Sequence, residues 1–285
     1  MEIAVLSDIH SNYEAFKKCV EYSLDRGIET FVFLGDYLGE LPYPQKTMQF
    51  LFFLKEKYTC YFIKGNKEDY WMNYKKNGET GWKEIDSTTG ALFYTYYHLT
   101  AEDMAFFETL SHKAELCFEN LPLLTICHGS PNRTNEKLLP DDERTFSIME
   151  CERNCHIICG HTHIQGIIEH NGKKVFNAGA VGVPLNSGGK AQFMILSGTK
   201  GVWSHEFISL DYDVEKVISE LHASGLSERA PHWCKVTEHL LRTGNGSHGA
   251  VLARAMVLCS EQEGSCHWPE VPEQYWSKAV EEMIG

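Results

Sequence analysis

No apolar run in this sequence approaches the roughly 20 residues needed to cross a bilayer, and no tract is repetitive or of low complexity. Membrane-spanning and repeat architectures are therefore not expected. An apolar, β-rich run already begins at Glu2, which leaves no room for the basic and apolar segments of a leader peptide, so we expect a cytoplasmic protein. Positive charge is also scarce. Lys and Arg number 26 against 39 Asp and Glu, a formal net charge of −13. That balance argues against a long nucleic acid as partner, since such binders carry a basic face. It leaves room for a small phosphate ester, whose binding depends on local charge. The ten cysteines are expected to be reduced thiols. Cys151, Cys155 and Cys159 are spaced four apart. The last falls on a predicted strand and the first two on a preceding helix end, so they are not expected to converge on a metal.

What the chain does have is one design used five times. Glu2-Ile3-Ala4-Val5-Leu6 runs into Asp8-Ile9-His10, and Thr30-Phe31-Val32-Phe33-Leu34 runs into Gly35-Asp36. Cys60-Tyr61-Phe62-Ile63 runs into Gly65-Asn66, and Leu123-Leu124-Thr125-Ile126-Cys127 runs into His128-Gly129. His156-Ile157-Ile158 runs into Cys159-Gly160-His161-Thr162-His163, whose two histidines at i and i+2 can point the same way. Each is an apolar run ending in residue types that ligate metals, usually beside glycine. In open α/β sheets, sites are built at the carboxyl ends of strands.

The ordered set Asp-x-His, Gly-Asp, Gly-Asn, His, Gly-His-Thr-His resembles the calcineurin-like metallophosphoesterase superfamily over residues 3 to about 195. His128-Gly129-Ser130-Pro131 and Asn177-Ala178-Gly179-Ala180-Val181-Gly182-Val183-Pro184 are similar to its small prokaryotic phosphodiesterase-like branch. The resemblance implies a four-layer α/β sandwich of two packed mixed β-sheets flanked by helices. It also implies two divalent transition-metal ions. One would be held by Asp8, His10, Asp36 and His163, the other by Asp36, Asn66, His128 and His161, with Asp36 bridging. Mixed N/O ligation suits Mn, Fe, Zn or Co better than Mg or Ca. The implied reaction is hydrolysis of a small phosphodiester or nucleotide by a metal-bridging water or hydroxide, with Asp36, Asn66, Lys67 and His128 as the catalytic set. The alternatives are a dinucleoside polyphosphate hydrolase, a phosphoprotein phosphatase and a non-catalytic scaffold of the same fold. Lys67 departs from the pattern, because a histidine usually follows the Asn. An ammonium there suits holding a phosphate oxygen better than delivering a proton near pH 7. His98 is the second candidate acid.

The rest of the chain is read by its periodicity. Asn12 to Arg26 carries a helical stripe closed by Gly27, and Gln45 to Lys57 reads as a second helix. Residues 70–98 are rich in aromatics that offer a lid for a nucleobase, although packing within a helical cap is the preferred reading. Thr100 and Asp103 start a further helix as a capping box. Strands are expected at Glu115–Glu119, Leu123–Cys127, Gln165–His170, Lys173–Asn177 and Ala191–Leu196, forming a second and more antiparallel sheet. Arg133, Lys137 and Arg144 are candidates for gripping a phosphate. We expect residues 1–210 to form the catalytic domain. Residues 211–285 should form about three helices that pack on it or make a homo-oligomer interface. His222, His232, His239, His248 and His267 in that extension are read as surface or packing residues.

Overall fold

The computed structural model describes all 285 residues. Its ten strands are β1 (Glu2–Leu6), β2 (Thr30–Phe33), β3 (Thr59–Phe62), β4 (Lys113–Leu116), β5 (Leu124–Cys127), β6 (His156–Cys159), β7 (Gly166–His170), β8 (Lys173–Asn177), β9 (Ala191–Thr199) and β10 (Val202–Leu210). The helices are α1 (Tyr13–Asp25), α2 (Pro44–Lys57), α3 (Asn66–Lys76), α4 (Gly90–Tyr97), α5 (Ala101–Thr109), α6 (Glu143–Cys151), α7 (Val214–Ala223), α8 (Leu226–Arg229), α9 (Pro231–Thr243), α10 (His248–Glu263) and α11 (Glu273–Ile284). Two five-stranded sheets form, in the orders β10-β9-β1-β2-β3 and β4-β5-β6-β8-β7.

The two-residue period of β1 explains the layering. Ile3 and Val5 point between the sheets, into a cluster with Ile126, Ile158 and Phe176. Ala4 and Leu6 point outward, against Phe16 of α1 and Met48 of α2. On the far side, Ile157 of β6 and Val175 of β8 pack with Ile148 and Met149 of α6. The result is helices, sheet, sheet, helix, as expected. Caps begin the helices where the sequence placed them. Asn12 accepts from the Ala15 N–H at the start of α1, and Thr100 and Asp103 cap α5 reciprocally.

Several expectations need correction. The second sheet is no more antiparallel than the first, for each has two parallel and two antiparallel pairings. Strand β9 joins the first sheet, between β1 and β10. Its uninterrupted run Ala191 to Leu196 is buried on both faces, which requires a central position. Strand β10 was not anticipated, because it lies at a sheet edge and alternates weakly. Strand β4 starts at Lys113 rather than Glu115, since pairing with β5 sets Lys113 opposite Cys127 and a turn from Phe118 to Leu121 cuts it short.

After β10 come five helices rather than about three. They pack on the main body: Val217, Ile218, Leu221 and Leu240 share a core with Leu41, Ala91, Tyr94 and Val183. The indole of Trp276 donates to Thr88 Oγ1 at 2.9 Å, and Glu273 accepts from both the N–H and hydroxyl of Ser87. The aromatics of residues 70–98 mostly pack there, with Trp71 fully buried and Tyr74 stacked on Trp82. No helix is long and apolar enough to cross a membrane. All ten cysteines are free thiols, with Cys151 and Cys155 exposed and Cys159 buried.

Candidate active site

All seven candidate ligands lie just past the carboxyl ends of β1, β2, β3, β5 and β6. The chain must turn abruptly there, and five of the seven turn through the left-handed region: Asp8, His10, Asp36, His161 and His163 have φ between 51° and 64°. Strained backbone of this kind costs of order 1 kcal/mol per residue and is commonest at functional sites. Two glycines allow the loops to touch. A Cβ on Gly65 would lie 2.1 Å from Asp36 Oδ1, and one on Gly160 would lie 1.9 Å from Ser7 Oγ. Glu68, buried on α3, accepts from the backbone N–H groups of Gly65, Asp36 and Tyr37, which locks the β2 loop to the β3 loop. Burial and the neighbouring Asp36 charge push its own pKa up to about 7.

The side chains converge as lone pairs. His128 Nδ1 lies 2.8 Å from the Leu34 carbonyl and His163 Nδ1 lies 3.0 Å from the Val183 carbonyl. A carbonyl can only accept, so both Nδ1 atoms carry protons, and in the neutral rings both Nε2 atoms present lone pairs. His128 Nε2 stands 3.2 Å from Asn66 Oδ1, 3.5 Å from Asp36 Oδ2 and 3.7 Å from Asp8 Oδ1. His163 Nε2 stands 3.1 Å from Asp8 Oδ1 and 3.3 Å from His10 Nε2. His10 Nε2 is 3.8 Å from Asp36 Oδ2, and its Nδ1 faces Glu40 Oε2 at 2.5 Å. His161 is tilted against His128, with ring centroids 5.1 Å apart, and its backbone N–H donates to Asp8 Oδ2. Asp8 Oδ2 also accepts from Ser7 Oγ, whereas buried Asp8 Oδ1 has no hydrogen-bond partner. Asp8–His10–His163 and Asp8–Asp36–His128 each bring their ligand atoms within 4.8 Å of one another.

Such a cluster of acceptors demands positive charge. With protons alone to supply it, burial would lower the pKa of His10, but Glu40, Asp8 and Asp36 raise it to about 10. Burial likewise opposes charge on His128, which Asp36 and Asp8 raise to about 9. His161 goes the other way, to about 4, through burial and the charge of His128. Asp8 and Asp36 stay ionised despite burial, because the facing histidines hold their pKa values down. The donor set therefore fits divalent cations, which would replace those protons.

Sequence reading missed Glu40. It is 4% exposed, and while one oxygen faces His10 the other accepts from Lys67 Nζ at 2.6 Å. Burial opposes charge on Lys67, but Glu40 and Asp36 outweigh it and raise its pKa. Only Glu40's place four residues past Asp36, in a Pro/Gly loop, could have signalled it. Lys137 lines the same cavity, whereas Arg133 lines a neighbouring groove and Arg144 pairs with Glu136. His98 caps the end of α4, exposed and outside the cavity. His248, on the C-terminal helices, does line it, stacked on Trp233 and bonded to Thr237. The cavity has a volume of about 280 Å³.

Known proteins share both the sequence pattern and the fold. Residues 1–201 match the model of the calcineurin-like phosphoesterase superfamily domain. An uncharacterised protein of Methanocaldococcus jannaschii is 25% identical over 253 residues, covering 81% of this chain and 94% of its own. The fold is shared with a hypothetical protein of Pyrococcus horikoshii, at a TM-score of 0.72 and 19% identity over 86% of this chain and 99% of the other. A metallophosphoesterase from Sphaerobacter thermophilus superposes with a TM-score of 0.65, also at 19% identity and with the same coverage.

Proposed function

Because the chain belongs to the calcineurin-like phosphoesterase superfamily, we propose that it is a dinuclear metal-dependent hydrolase of small phosphodiesters or nucleotides. The observation that carries this reading is the buried, partnerless Asp8 Oδ1 among the Nε2 atoms of His10, His128 and His163. Asp8, His10, Asp36 and His163 would hold one ion, and Asp36, Asn66, His128 and His161 the other. Two such ions would activate water and offset the charge that develops on the phosphoryl oxygens.

The chain's own groups do the positioning. Asp36 is suited to bridge, since its Oδ2 lies between His10 and His128 while Oδ1 accepts the backbone N–H of Lys67 at 2.8 Å. Leu34 and Val183 fix the tautomers of His128 and His163, and Glu40 orients His10. Lys67, tied to Glu40, presents a fixed positive charge to a phosphate oxygen. A cavity of about 280 Å³, roofed in part by Trp233, Leu252 and Trp268, favours a small ester over a phosphoprotein.

The test is hydrolysis of bis(p-nitrophenyl) phosphate by full-length protein before and after chelation. Chelation should abolish activity and Mn²⁺ should restore it; full activity in metal-free protein would refute the proposal.

A further inference from the structure

The cavity has two chemically different ends. One carries the candidate ligands and Lys67, whose ammonium lies 5.6 Å from the ring centroid of Trp233, and the rest of the lining includes Tyr70, Leu92, Leu252 and Trp268. A substrate that fills both must carry a phosphate at one end and an apolar, flat-sided group at the other. Helix α3 supplies a ruler for the distance between them. Asn66 opens α3 and Tyr70 follows four residues later, on the same face. The intervening rise is about 6 Å, from 1.5 Å per residue. A ring carried on a sugar-length spacer from the phosphate spans that rise.

The aromatic end differs from the packed aromatics beside it. Tyr74 and Trp82 are stacked with centroids 4.0 Å apart and planes 5° from parallel, leaving no access to the facing surfaces. Tyr70 and Trp268 are also roughly parallel, at 28°, but their centroids are 6.2 Å apart. Trp268 remains 44% exposed while also lining the cavity. Trp233 is held otherwise, stacked on His248 and set edge-on to Trp276. Trp268 is therefore the ring with free surface. It is contributed by the C-terminal extension, while Tyr70 comes from the ligand-bearing part of the chain.

We infer that the substrate is a nucleotide-sized phosphodiester whose nucleoside base lies against the Tyr70–Trp268 pair while its phosphate lies at the Asp8–Asp36–His128 cluster. This rests on the phosphodiesterase reading above and adds the part of the substrate that the family resemblance leaves open. Trp268 and Tyr70 are specificity residues in this account and touch no reacting atom. Sequence tolerance among bases is expected, because every base has a face to stack.

The experiment is calorimetric titration of the full-length, Mn²⁺-supplemented protein with thymidine 5′-monophosphate and with methyl phosphate. Thymidine 5′-monophosphate should bind at least about tenfold more tightly, the scale of one base–aromatic stack. Trp268→Ala should erase that advantage without changing methyl phosphate binding, and Trp268→Phe should keep most of it. Equal binding of the two ligands by the unmodified protein would overturn the inference, as would a Trp268→Ala variant that weakens both alike. Hydrolysis of methyl p-nitrophenyl phosphate separates this from the preceding proposal. Its absence would count against the phosphodiesterase reading, while the titration still decides whether a base is held.

Discussion

The two walls of the central cavity are made by opposite means. The wall of candidate ligands uses short, polar side chains on strained loops at strand ends, where Asp8, His10, Asp36, His161 and His163 all take left-handed backbone. The facing wall uses Trp233, Leu240 and Leu252 on ordinary helices, together with Trp268 in the segment before α11. One wall invests in the exact placement of a few atoms, and the other in apolar area. The difference suggests a division of labour in which the loops perform chemistry and residues 211–285 shape access and choice of substrate. The boundary near Leu210 is then a functional proposal as well as the end of β10.

That division is broken most severely at Asp36. Asp36→Asn removes a carboxylate charge from between His10 and His128 and turns an amide toward one of them. Turnover should fall by ~10³-fold or more as the bridge is lost, measured by steady-state hydrolysis of bis(p-nitrophenyl) phosphate. A comparable fall in Trp233→Leu would erase the distinction between the walls.

Lys67 gives the next largest effect. Lys67→Met removes the fixed charge beside Glu40 but leaves the candidate ligands in place. KM should rise by about tenfold with kcat within a few-fold, the pattern of lost uniform binding. A selective loss of kcat, steepening with leaving-group pKa, would instead make Lys67 the proton donor.

The contrast between the walls also governs what sequence alone could reveal. The candidate ligands are legible because each follows an apolar strand closely and is chemically competent, so Asp8, His10, Asp36, Asn66, His128, His161 and His163 stand out one by one. The helpers of those residues leave no such trace. Glu40 reaches His10 and Lys67 from an irregular loop, and Glu68 reaches three backbone N–H groups from a helix whose polar residues look solvated. The apolar wall is harder still, because Trp268 and Trp233 carry the same pattern whether they face a cavity, a core or another subunit. Strand β10 escaped because an edge strand with one wet face needs little hydrophobic alternation. Strand β9 was found but assigned to the wrong sheet, since a period of two gives the faces of a strand and not its neighbours.

His248 offers the smallest and most specific test of the apolar wall. Burial, opposed by the charge of Glu40, lowers its pKa from 6.5 to about 3. Between those values the unfolded chain binds a proton that the native ring refuses, so stability is lost as pH falls below about 6.5. From pH 6.5 to 5 this single residue should cost on the order of 1–2 kcal/mol. Urea unfolding across that range should show a shallower loss for His248→Phe, which keeps a ring against Trp233. An unchanged slope would mean that the imidazole can be protonated in the folded protein.

The central claim is that the strand-end residues hold two divalent ions with Asp36 between them, and metal counting tests it most directly. Full-length protein, Asp36→Asn and Trp268→Ala would each be loaded with Mn²⁺, passed through a desalting column and measured by elemental analysis. The account predicts close to two equivalents per chain in the unmodified protein and in Trp268→Ala, and one or none in Asp36→Asn. Fewer than two in the unmodified protein, or two retained without Asp36, would contradict it.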